Sequence, residues 1–464
     1  TQWGVTVLQA NQDMDSGDIW AEEFFTMRNV RKSTLYRNEV TQAAVKAVLS
    51  AVEKFCTKSY RPRPLNYNDP KTRGRPKPLM TQNDRKINWA QDTTQDIVRK
   101  LNSADGHPGI LSTVLEKNVY LFNGISSGEF ASGTCIPGSV ISWNKNGILL
   151  ATSDGAIWVT HLCEKSSAHF KLPAAQVLQS NLTKIREGQG PNPIRFSQKK
   201  CVGILEFDFY NGAMSTEQCL ELRTAVIEAL KTDIRVLVLL GSEDFWSNGI
   251  HLHVIEAAEN PADESWRNIQ AMNDLAETLL TANNIITISA LQGNAAAGGL
   301  FLALSSDFVF ARQGVILNPH YKSMGNLYGS EYWTYSLPKR VGENNARWIT
   351  EARMPLDVFA AAEIGLIDAY FGINHSEFLD ETLKRALKLS FDPEFSKMLQ
   401  HKITSQKKAF SEKAFSAYRA HEMEQMKLNF YGFDPSYHIA RYNFVHRIPH
   451  SRTPRHLAKH RNMR

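Results

Sequence analysis

The chain has 464 residues, of which 42% are hydrophobic and 22% are charged, and its formal net charge is +6. These proportions are typical of a globular protein of about three domains, and they exclude a disordered, collagen-like or simple coiled-coil chain. The sequence has no apolar run of about 18 residues and no basic-then-apolar leader, so we expect neither a membrane span nor a secretory signal.

The five cysteines and the first residues bear on compartment and completeness. An odd number of cysteines without a C-x-x-C pair predicts neither a disulfide framework nor a metal site, and it favours a reducing cytoplasm. The sequence opens at Thr1 directly into an apolar strand pattern. We therefore expect it to be a piece of a longer protein.

Positive charge is concentrated in two stretches. Residues 396–464 hold 14 Lys or Arg against 4 Asp or Glu, and residues 57–88 hold nine against two. Such stretches can contact phosphates or nucleic acid. We interpret them as a solvated linker and tail and predict no nucleic-acid binding. Within the tail we expect residues 428–448 to pack against the body and residues 449–464 to be a mobile basic end.

The first 58 residues are predicted to be the end of an α/β domain. Strands are expected at 5–8 and 19–26, followed by a helix over 33–55 that Ser33 or Thr34 caps. The apolar spacing predicts one buried side for this helix, formed by Leu35, Val40, Ala44, Val48 and Val52.

The second predicted domain, residues 59–187, begins with a proline-rich stretch. A helix is expected over 92–104, capped by Asp92 or Thr93. Short apolar runs separated by Asn-Gly and Asp-Gly pairs then predict hairpin strands of a small β-barrel, at 113–122, 138–143, 147–152 and 156–162. The polar residues 188–200 are predicted to be a linker.

Residues 201–390 alternate strands and helices, which predicts a mostly parallel sheet. Two glycine loops follow strands there, FWSNGIHL at 245–252 and LQGNAAAGGLFLAL at 291–304. Small residues at such turns let backbone N–H groups approach a ligand oxygen, as in an oxyanion hole. Residues 391–464 are predicted to be a helical, then irregular and basic, tail.

Residues 200–372, including these loops, SDFVFA, LPKRVG and ARMPLDVFAAAEIGLID, resemble the crotonase (enoyl-CoA hydratase/isomerase) superfamily. The resemblance implies a ββα-spiral fold that binds an acyl-CoA. It further implies that the N–H groups of Ile250 and Gly298 hold the thioester oxygen, with Gly249, Gly299, His251 and Gly325 near the bound coenzyme A.

The same resemblance exposes three departures. His251 stands where the superfamily usually has Asp, and Phe301 and Tyr321 stand where hydratases carry two catalytic glutamates. Without two carboxylates, hydration of a double bond is not expected. The aromatic loop NPHYKSMGNLYGSEYWTY at 318–335 is the predicted replacement, with Tyr321, Tyr332 and Glu331 as catalytic candidates.

Residues 1–180 resemble folate-dependent formyltransferases such as methionyl-tRNA formyltransferase. The matching segments are GVTVLQANQDMDSGDIW, KINWAQ, VRKLNSADGHPG and PGSVISWNKNGILLATSDGAIWVTHL. The resemblance implies a C-terminal domain built as an OB-like barrel, and it implies that Asp15 assists formyl transfer. The family's other two catalytic groups precede the region matched here, so we expect a competent transferase to be longer.

A formyltransferase half followed by a crotonase half resembles the HypX (HoxX) family of nickel–iron hydrogenase maturation factors. MDSGDIW, STLYRNEV, NDRKINW, SADGHPG and the aromatic loop carry this resemblance. It implies formyl transfer from 10-formyl-tetrahydrofolate to coenzyme A, decarbonylation of formyl-CoA to carbon monoxide, and partners among hydrogenase maturation proteins. The alternatives are a crotonase-type enzyme acting on another acyl-CoA and a non-catalytic CoA-binding scaffold.

Overall fold

The computed structural model describes residues 2–70, 72, 74–128, 135–166, 170–449 and 458. They belong to two compact units, Thr1–Pro191 and Asn192–Arg464. Within the described residues, none of the helices combines the length and the apolar character that a membrane crossing requires.

The first unit contains a hairpin, a six-stranded sheet and short helices. Its strands are β1 Gln2–Leu8, β2 Ile19–Thr26, β3 Ile110–Val114, β4 Lys117–Ser126, β5 Val140–Asn144, β6 Gly147–Ala151, β7 Ala156–Glu164 and β8 Leu172–Pro173. Its helices are α1 Lys32–Leu35, α2 Thr41–Cys56, α3 Gln82–Arg85, α4 Thr94–Ser103 and α5 Ala174–Leu182, and a π-helical turn, Tyr36–Val40, joins α1 to α2.

The antiparallel hairpin β1–β2 packs against α2. Together they form an α/β layer at the start of the chain. The sheet that follows runs β3-β4-β7-β6-β5, with β8 beside β7. Thr93 caps α4 through a reciprocal capping box with Asp96, as one of the two predicted caps requires. Closure of the sheet into an OB-like barrel stays a prediction.

The second unit is built on three sheets, of six, four and two strands. Its strands are β9 Ile194–Lys199, β10 Val202–Phe207, β11 Ala213–Met214, β12 Val236–Leu240, β13 Phe245–Ser247, β14 Gly249–Ile250, β15 Ile286–Leu291, β16 Asn294–Ala296, β17 Phe308–Arg312, β18 Ile316–Asn318, β19 Leu356–Asp357 and β20 Ala369–Phe371. The larger sheet runs β20-β17-β15-β12-β10-β9, and all its pairs are parallel except β10–β9. The smaller sheet has four strands in the order β13-β16-β18-β19, and β11 pairs separately with β14. Strand β12 is buried along its whole length, as its uninterrupted apolar sequence predicts.

Helices surround these sheets and continue to the C-terminal region. They are α6 Thr216–Leu230, α7 Leu252–Ala257, α8 Pro261–Leu280, α9 Gly298–Ala303, α10 Trp333–Ala352, α11 Val358–Glu363, α12 His375–Ser390, α13 Phe395–Glu412, α14 Phe415–Tyr431 and α15 Ser436–Val445. A 3-10 turn, Tyr210–Gly212, precedes β11. The predicted mixed α/β architecture with a helical C-terminal region is confirmed.

Two predictions for the first unit, the cap of its first helix and the buried side of that helix, are wrong. Neither Ser33 nor Thr34 caps its helix, because the helix starts after Arg31 and both the amide and hydroxyl of Ser33 donate to the Asp105 carboxylate. Of the predicted buried side, Leu35 is buried, but α2 buries Ala43, Ala47 and Ala51 instead of the predicted valines. Val48 and Val52 are 50% and 54% exposed, since alanines let α2 approach the hairpin more closely.

Three further predictions differ from the structure. The run 113–122 is two strands, because Leu115 and Glu116 form a turn at positive φ between β3 and β4. The predicted linker 188–200 contains β9, whose backbone pairs with β10 and needs no apolar pattern at the edge of a sheet. The expected irregular tail contains the helix α15.

Residues 428–448 do pack against the body. The hydroxyls of Tyr437 and Ser265 lie 2.7 Å apart, and the Nε of the buried Arg441 lies 2.6 Å from Oε2 of Glu256. The expectation of a mobile end concerns residues that lie, apart from 449 and 458, outside the described ranges.

Candidate active site at the edge of the smaller sheet

Three neighbouring strands of the smaller sheet end at one edge. Strand β13 pairs with β16, and β16 pairs with β18, both in parallel. The carboxyl ends of parallel strands meet at the same edge, which is where ligands bind in open α/β sheets. The two glycine loops and the start of the aromatic loop are therefore brought together by the sheet.

The two predicted N–H donors lie on touching loops. A Cβ atom built on Gly249, which has φ +82°, would lie 3.3 Å from the backbone nitrogen of Gly298. The Gly249 amide donates to the Ser247 hydroxyl at 3.1 Å, and a side chain at Gly299 would overlap the Ser247 carbonyl. The structure thus places Gly249, the residue before Ile250, beside Gly298 and leaves little room for side chains between the loops.

Backbone strain marks the residue before Gly298. Ala297 has φ +48° and ψ −130°, a conformation that usually requires glycine and costs on the order of 1–3 kcal/mol. Its amide donates to the Asn318 carbonyl at 3.0 Å, and its own carbonyl accepts from Leu300 at 3.0 Å. These bonds hold the unusual angle and so fix the direction of the following peptide.

Glu331 contributes a carboxyl group at this edge of the smaller sheet. It is fully buried, and its Oε2 accepts from the Tyr321 hydroxyl and from the Ser330 amide. Its Oε1 finds no hydrogen-bond partner among the described residues, and a Cβ atom on Gly298 would overlap it. Burial raises the pKa of Glu331 to about 8, and the charge of Glu422 adds to the rise.

Apolar and aromatic groups enclose this carboxyl. The ring of Phe301 stacks on that of Tyr321 at 5.1 Å, and both residues are buried. Burial and the neighbouring Glu331 raise the pKa of the Tyr321 phenol, so it stays protonated and donates at neutral pH. The ring of Trp333 lies 6.1 Å from that of Phe301, and its buried Nε1 has no partner in the described part of the chain.

Two residues that the sequence analysis missed hold the turn at Glu331. Glu331 and Tyr332 both have left-handed φ angles, +60° and +57°. The side-chain oxygen of Asn273 accepts from the Glu331 amide at 2.7 Å and from the Ser330 hydroxyl at 2.8 Å. The buried carboxylate of Glu422 accepts from the Tyr332 amide at 2.9 Å and from the Thr334 amide at 2.8 Å, which caps α10.

A pattern in the sequence could have identified Glu422. Tyr418, Glu422, Met426 and Phe430 recur at intervals of four, which places them on one side of α14. A carboxylate within a helix side that is otherwise apolar is rarely buried without a specific partner. Burial raises the pKa of Glu422 to about 7, although hydrogen bonds to Thr334 act in the opposite direction.

Three predicted site residues make contacts away from Glu331. The Tyr332 hydroxyl donates to Glu277, which also binds Arg419, so the hydroxyl does not point to Glu331. The Nδ1 atom of the buried His251 caps α7 by accepting from Val254, and burial lowers the His251 pKa to about 4. A side chain at Gly325, with φ +64°, would overlap the backbone of Ser436. Contact of Gly325 or His251 with coenzyme A stays a prediction.

Asp15 belongs to the first unit, in the turn between β1 and β2. Its side chain is exposed, its φ is +55°, and its carbonyl accepts from the Tyr67 hydroxyl at 2.9 Å. The turn leaves the carboxylate available to a ligand.

Comparison with known proteins matches both halves of the chain. Residues 205–430 match the enoyl-CoA hydratase/isomerase family, and residues 79–179 match the C-terminal domain of formyl transferases. The putative enoyl-CoA hydratase/isomerase YhaR of Bacillus subtilis is 28% identical over 40% of this chain and 73% of its own length.

Two relatives span both halves. The hydrogenase maturation factor HoxX of Bradyrhizobium diazoefficiens is 44% identical over 99% of this chain and 81% of its own length. The crystal structure of HypX from Aquifex aeolicus in complex with tetrahydrofolic acid is 44% identical, with a TM-score of 0.92 over 100% of this chain and 82% of that chain.

Glu422→Gln tests whether this carboxylate holds the turn. Loss of one carboxylate oxygen leaves buried donors without a partner, so stability should fall by about 1–3 kcal/mol. Loss of the charge should also lower the pKa of Glu331. Urea unfolding measures the first effect, and infrared titration of the carboxyl stretch, assigned with Glu331→Gln, measures the second. Glu424→Gln, exposed on the same helix, is the control, and equal behaviour of the two variants contradicts this role.

Proposed function

Because the chain belongs to the HypX/HoxX family of hydrogenase maturation factors, we propose that it makes carbon monoxide for the hydrogenase iron. In a first reaction, a formyl group passes from 10-formyl-tetrahydrofolate to coenzyme A, with Asp15 beside the formyl group. In a second reaction, the site in the second unit decarbonylates formyl-CoA. Other maturation proteins receive the carbon monoxide.

The second reaction balances without an oxidant or a reductant. The C–H and C–S bonds of the formyl thioester break, and the C–H electron pair stays on carbon as the lone pair of carbon monoxide. The C–S pair leaves with sulfur as the thiolate. The formyl proton moves to Glu331 and from there to the thiolate, so the products are carbon monoxide and the free thiol.

The position of Glu331 is the observation that carries this proposal. Its unpartnered Oε1 faces Gly298, on the loop proposed to bind the thioester oxygen together with Ile250. N–H donors on that oxygen orient the thioester and draw electron density from the formyl carbon, which makes its hydrogen more acidic. A base with a pKa near 8 can take that proton near neutral pH and return it to a thiolate.

The surroundings favour decarbonylation over hydrolysis. Hydrolysis requires a water molecule held by a second polar group. The Tyr321 hydroxyl beside Glu331 is already engaged with Oε2, and its ring stacks on the buried ring of Phe301. An enclosed apolar wall excludes water from the thioester carbon. Tyr321 donates to Oε2, which directs the reactive oxygen Oε1 toward the loops.

Glu331→Gln should abolish carbon monoxide release from formyl-CoA, because the amide cannot accept the formyl proton. Tyr321→Phe should lower kcat by about 10²–10⁴ with little change in KM, since it removes the hydrogen bond that orients the base. The assay supplies formyl-CoA anaerobically and follows haemoglobin absorbance. Glu363→Gln and Tyr370→Phe, at exposed positions, are the matched controls.

The products formed by the unmodified chain discriminate between the alternatives. Formate and free coenzyme A without carbon monoxide would identify a thioester hydrolase. Turnover of a different acyl-CoA alone would identify another crotonase-type enzyme. Tight binding of coenzyme A without turnover of any thioester would identify a scaffold. Each of these results contradicts the proposal.

The rate of decarbonylation should rise with pH. Since the pKa of Glu331 is raised to about 8, most of this group is protonated at pH 7 and cannot accept a proton. Below pH 8 the carboxylate fraction, and with it kcat, should fall about tenfold per pH unit. The measurement is kcat between pH 6 and 9. A flat or falling profile would rule out Glu331 as the base.

Asp15→Asn, introduced into a chain that also carries the family's other two catalytic groups, tests the first reaction. We expect formyl-CoA formation from 10-formyl-tetrahydrofolate and coenzyme A to fall by about 10²-fold or more, because the amide cannot take up a proton during transfer. Quenched samples analysed by liquid chromatography give the rate. Asp13→Asn, exposed in the same turn, is the control, and equal rates in both variants would remove Asp15 from the mechanism.

A further inference from the structure

A second cavity lies in the second unit, at the opposite end of α9 from Gly298. Its volume is about 320 Å³, within the range of small-molecule sites. Its lining includes Ser305 and Ser306, which follow α9, and residues of α10. None of the groups proposed for decarbonylation lines it.

The acidic groups of this cavity are fully engaged with other groups. The Oδ2 atom of Asp307 accepts from Lys402 at 2.7 Å and from the Thr287 amide at 2.8 Å. The Oδ2 atom of Asp368 accepts from Arg340 at 2.9 Å and from the Val309 amide at 2.7 Å. These ion pairs neutralise both aspartates, so the acids do not repel an incoming anion.

Two donors of α10 are left for a ligand. The Oγ atom of Ser336, in a residue only 3% exposed, has no hydrogen-bond partner among the described residues. One turn further along, the ammonium of Lys339 lies 3.3 Å from the Tyr335 hydroxyl, the one hydrogen bond recorded for it within the described ranges. Residues three apart share a helix side, so both donors face the same space.

The electrostatics of the cavity favour an anion. Lys339 and Arg340 line the cavity, and Lys402, outside the lining, pairs with Asp307. Three positive charges therefore oppose the two negative charges of Asp307 and Asp368. Burial lowers the pKa of Lys339 although the charge of Asp307 acts in the opposite direction, so its ammonium loses solvation without a carboxylate partner at hydrogen-bonding distance among the described residues. A bound oxyanion would supply that partner and would also accept from the orphaned Ser336 hydroxyl.

We propose that this cavity binds the phosphate or carboxylate group of a small anionic molecule, held by Lys339 and Ser336. The rest of the ligand would lie against Leu280 and Leu304, which supply apolar surface to the same cavity. This site is independent of the proposed decarbonylation, and neither depends on the other.

Isothermal titration calorimetry of the whole chain with inorganic phosphate, and separately with acetate, tests the site at constant ionic strength. Saturable binding of one of them is expected, and which one binds identifies the acidic group. Lys339→Met should raise Kd about tenfold or more, because it removes a charge-assisted hydrogen bond. Ser336→Ala should raise Kd by about fivefold, from loss of a neutral hydrogen bond.

Arg347→Met is the matched control, since it removes one positive charge from an exposed position of the same helix. Its Kd should equal that of the unmodified chain. Ser336→Ala should keep the unmodified melting temperature, because the hydroxyl has no described partner to lose. The proposal is overturned if neither anion gives a saturable isotherm, or if Arg347→Met weakens binding as much as Lys339→Met.

Discussion

The candidate site depends on one buried carboxylate that does not take part in the proposed chemistry. Glu422 of α14 accepts the amides of Tyr332 and Thr334, and this contact holds the start of α10. The two left-handed residues before that helix are not glycines, so the turn needs external restraint to persist. Asn273 on α8 supplies the second restraint. Together they set the position of Glu331 against the glycine loops.

The chemical character of the site follows from where its charges are placed. Glu331 and Glu422 are both buried close to Ser330, and each carries a raised pKa because burial disfavours the ionised form. A hydratase would place its carboxylates where a water molecule can lie between them. Here the aromatic residues Phe301 and Tyr321 stand at both of those positions, and the carboxyl of Glu331 comes from the aromatic loop instead.

Much of the second unit could be predicted from its sequence, because its signals are local. Strand β12 is a continuous apolar run, and Gly293 and Gly299 of the second glycine loop occupy positions where a side chain would overlap backbone. Strand β9 could not be predicted, since an edge strand is stabilised by backbone pairing and its side chains are mostly exposed. The prediction of which side of α2 is buried was wrong, because small alanines pack where larger valines were expected.

The site was predicted in part for the same physical reason. Ile250, Gly298, Tyr321 and Glu331 lie on or beside loops whose motifs are contiguous, and the structure brings them together. Asn273 and Glu422 lie 58 and 91 residues from Glu331, on helices whose patterns read as ordinary packing. The Tyr332 hydroxyl was assigned from its neighbours in sequence, but the left-handed turn directs it to Glu277.

The position of Glu422 also bears on how the protein is made. The glycine loops, the aromatic loop and the sheets that carry them precede residue 372, yet the group that fixes their turn arrives on α14. Chains emerge from the ribosome N-terminus first, and domains fold as units during synthesis. Residue 422 must leave the exit tunnel before that turn is held in place.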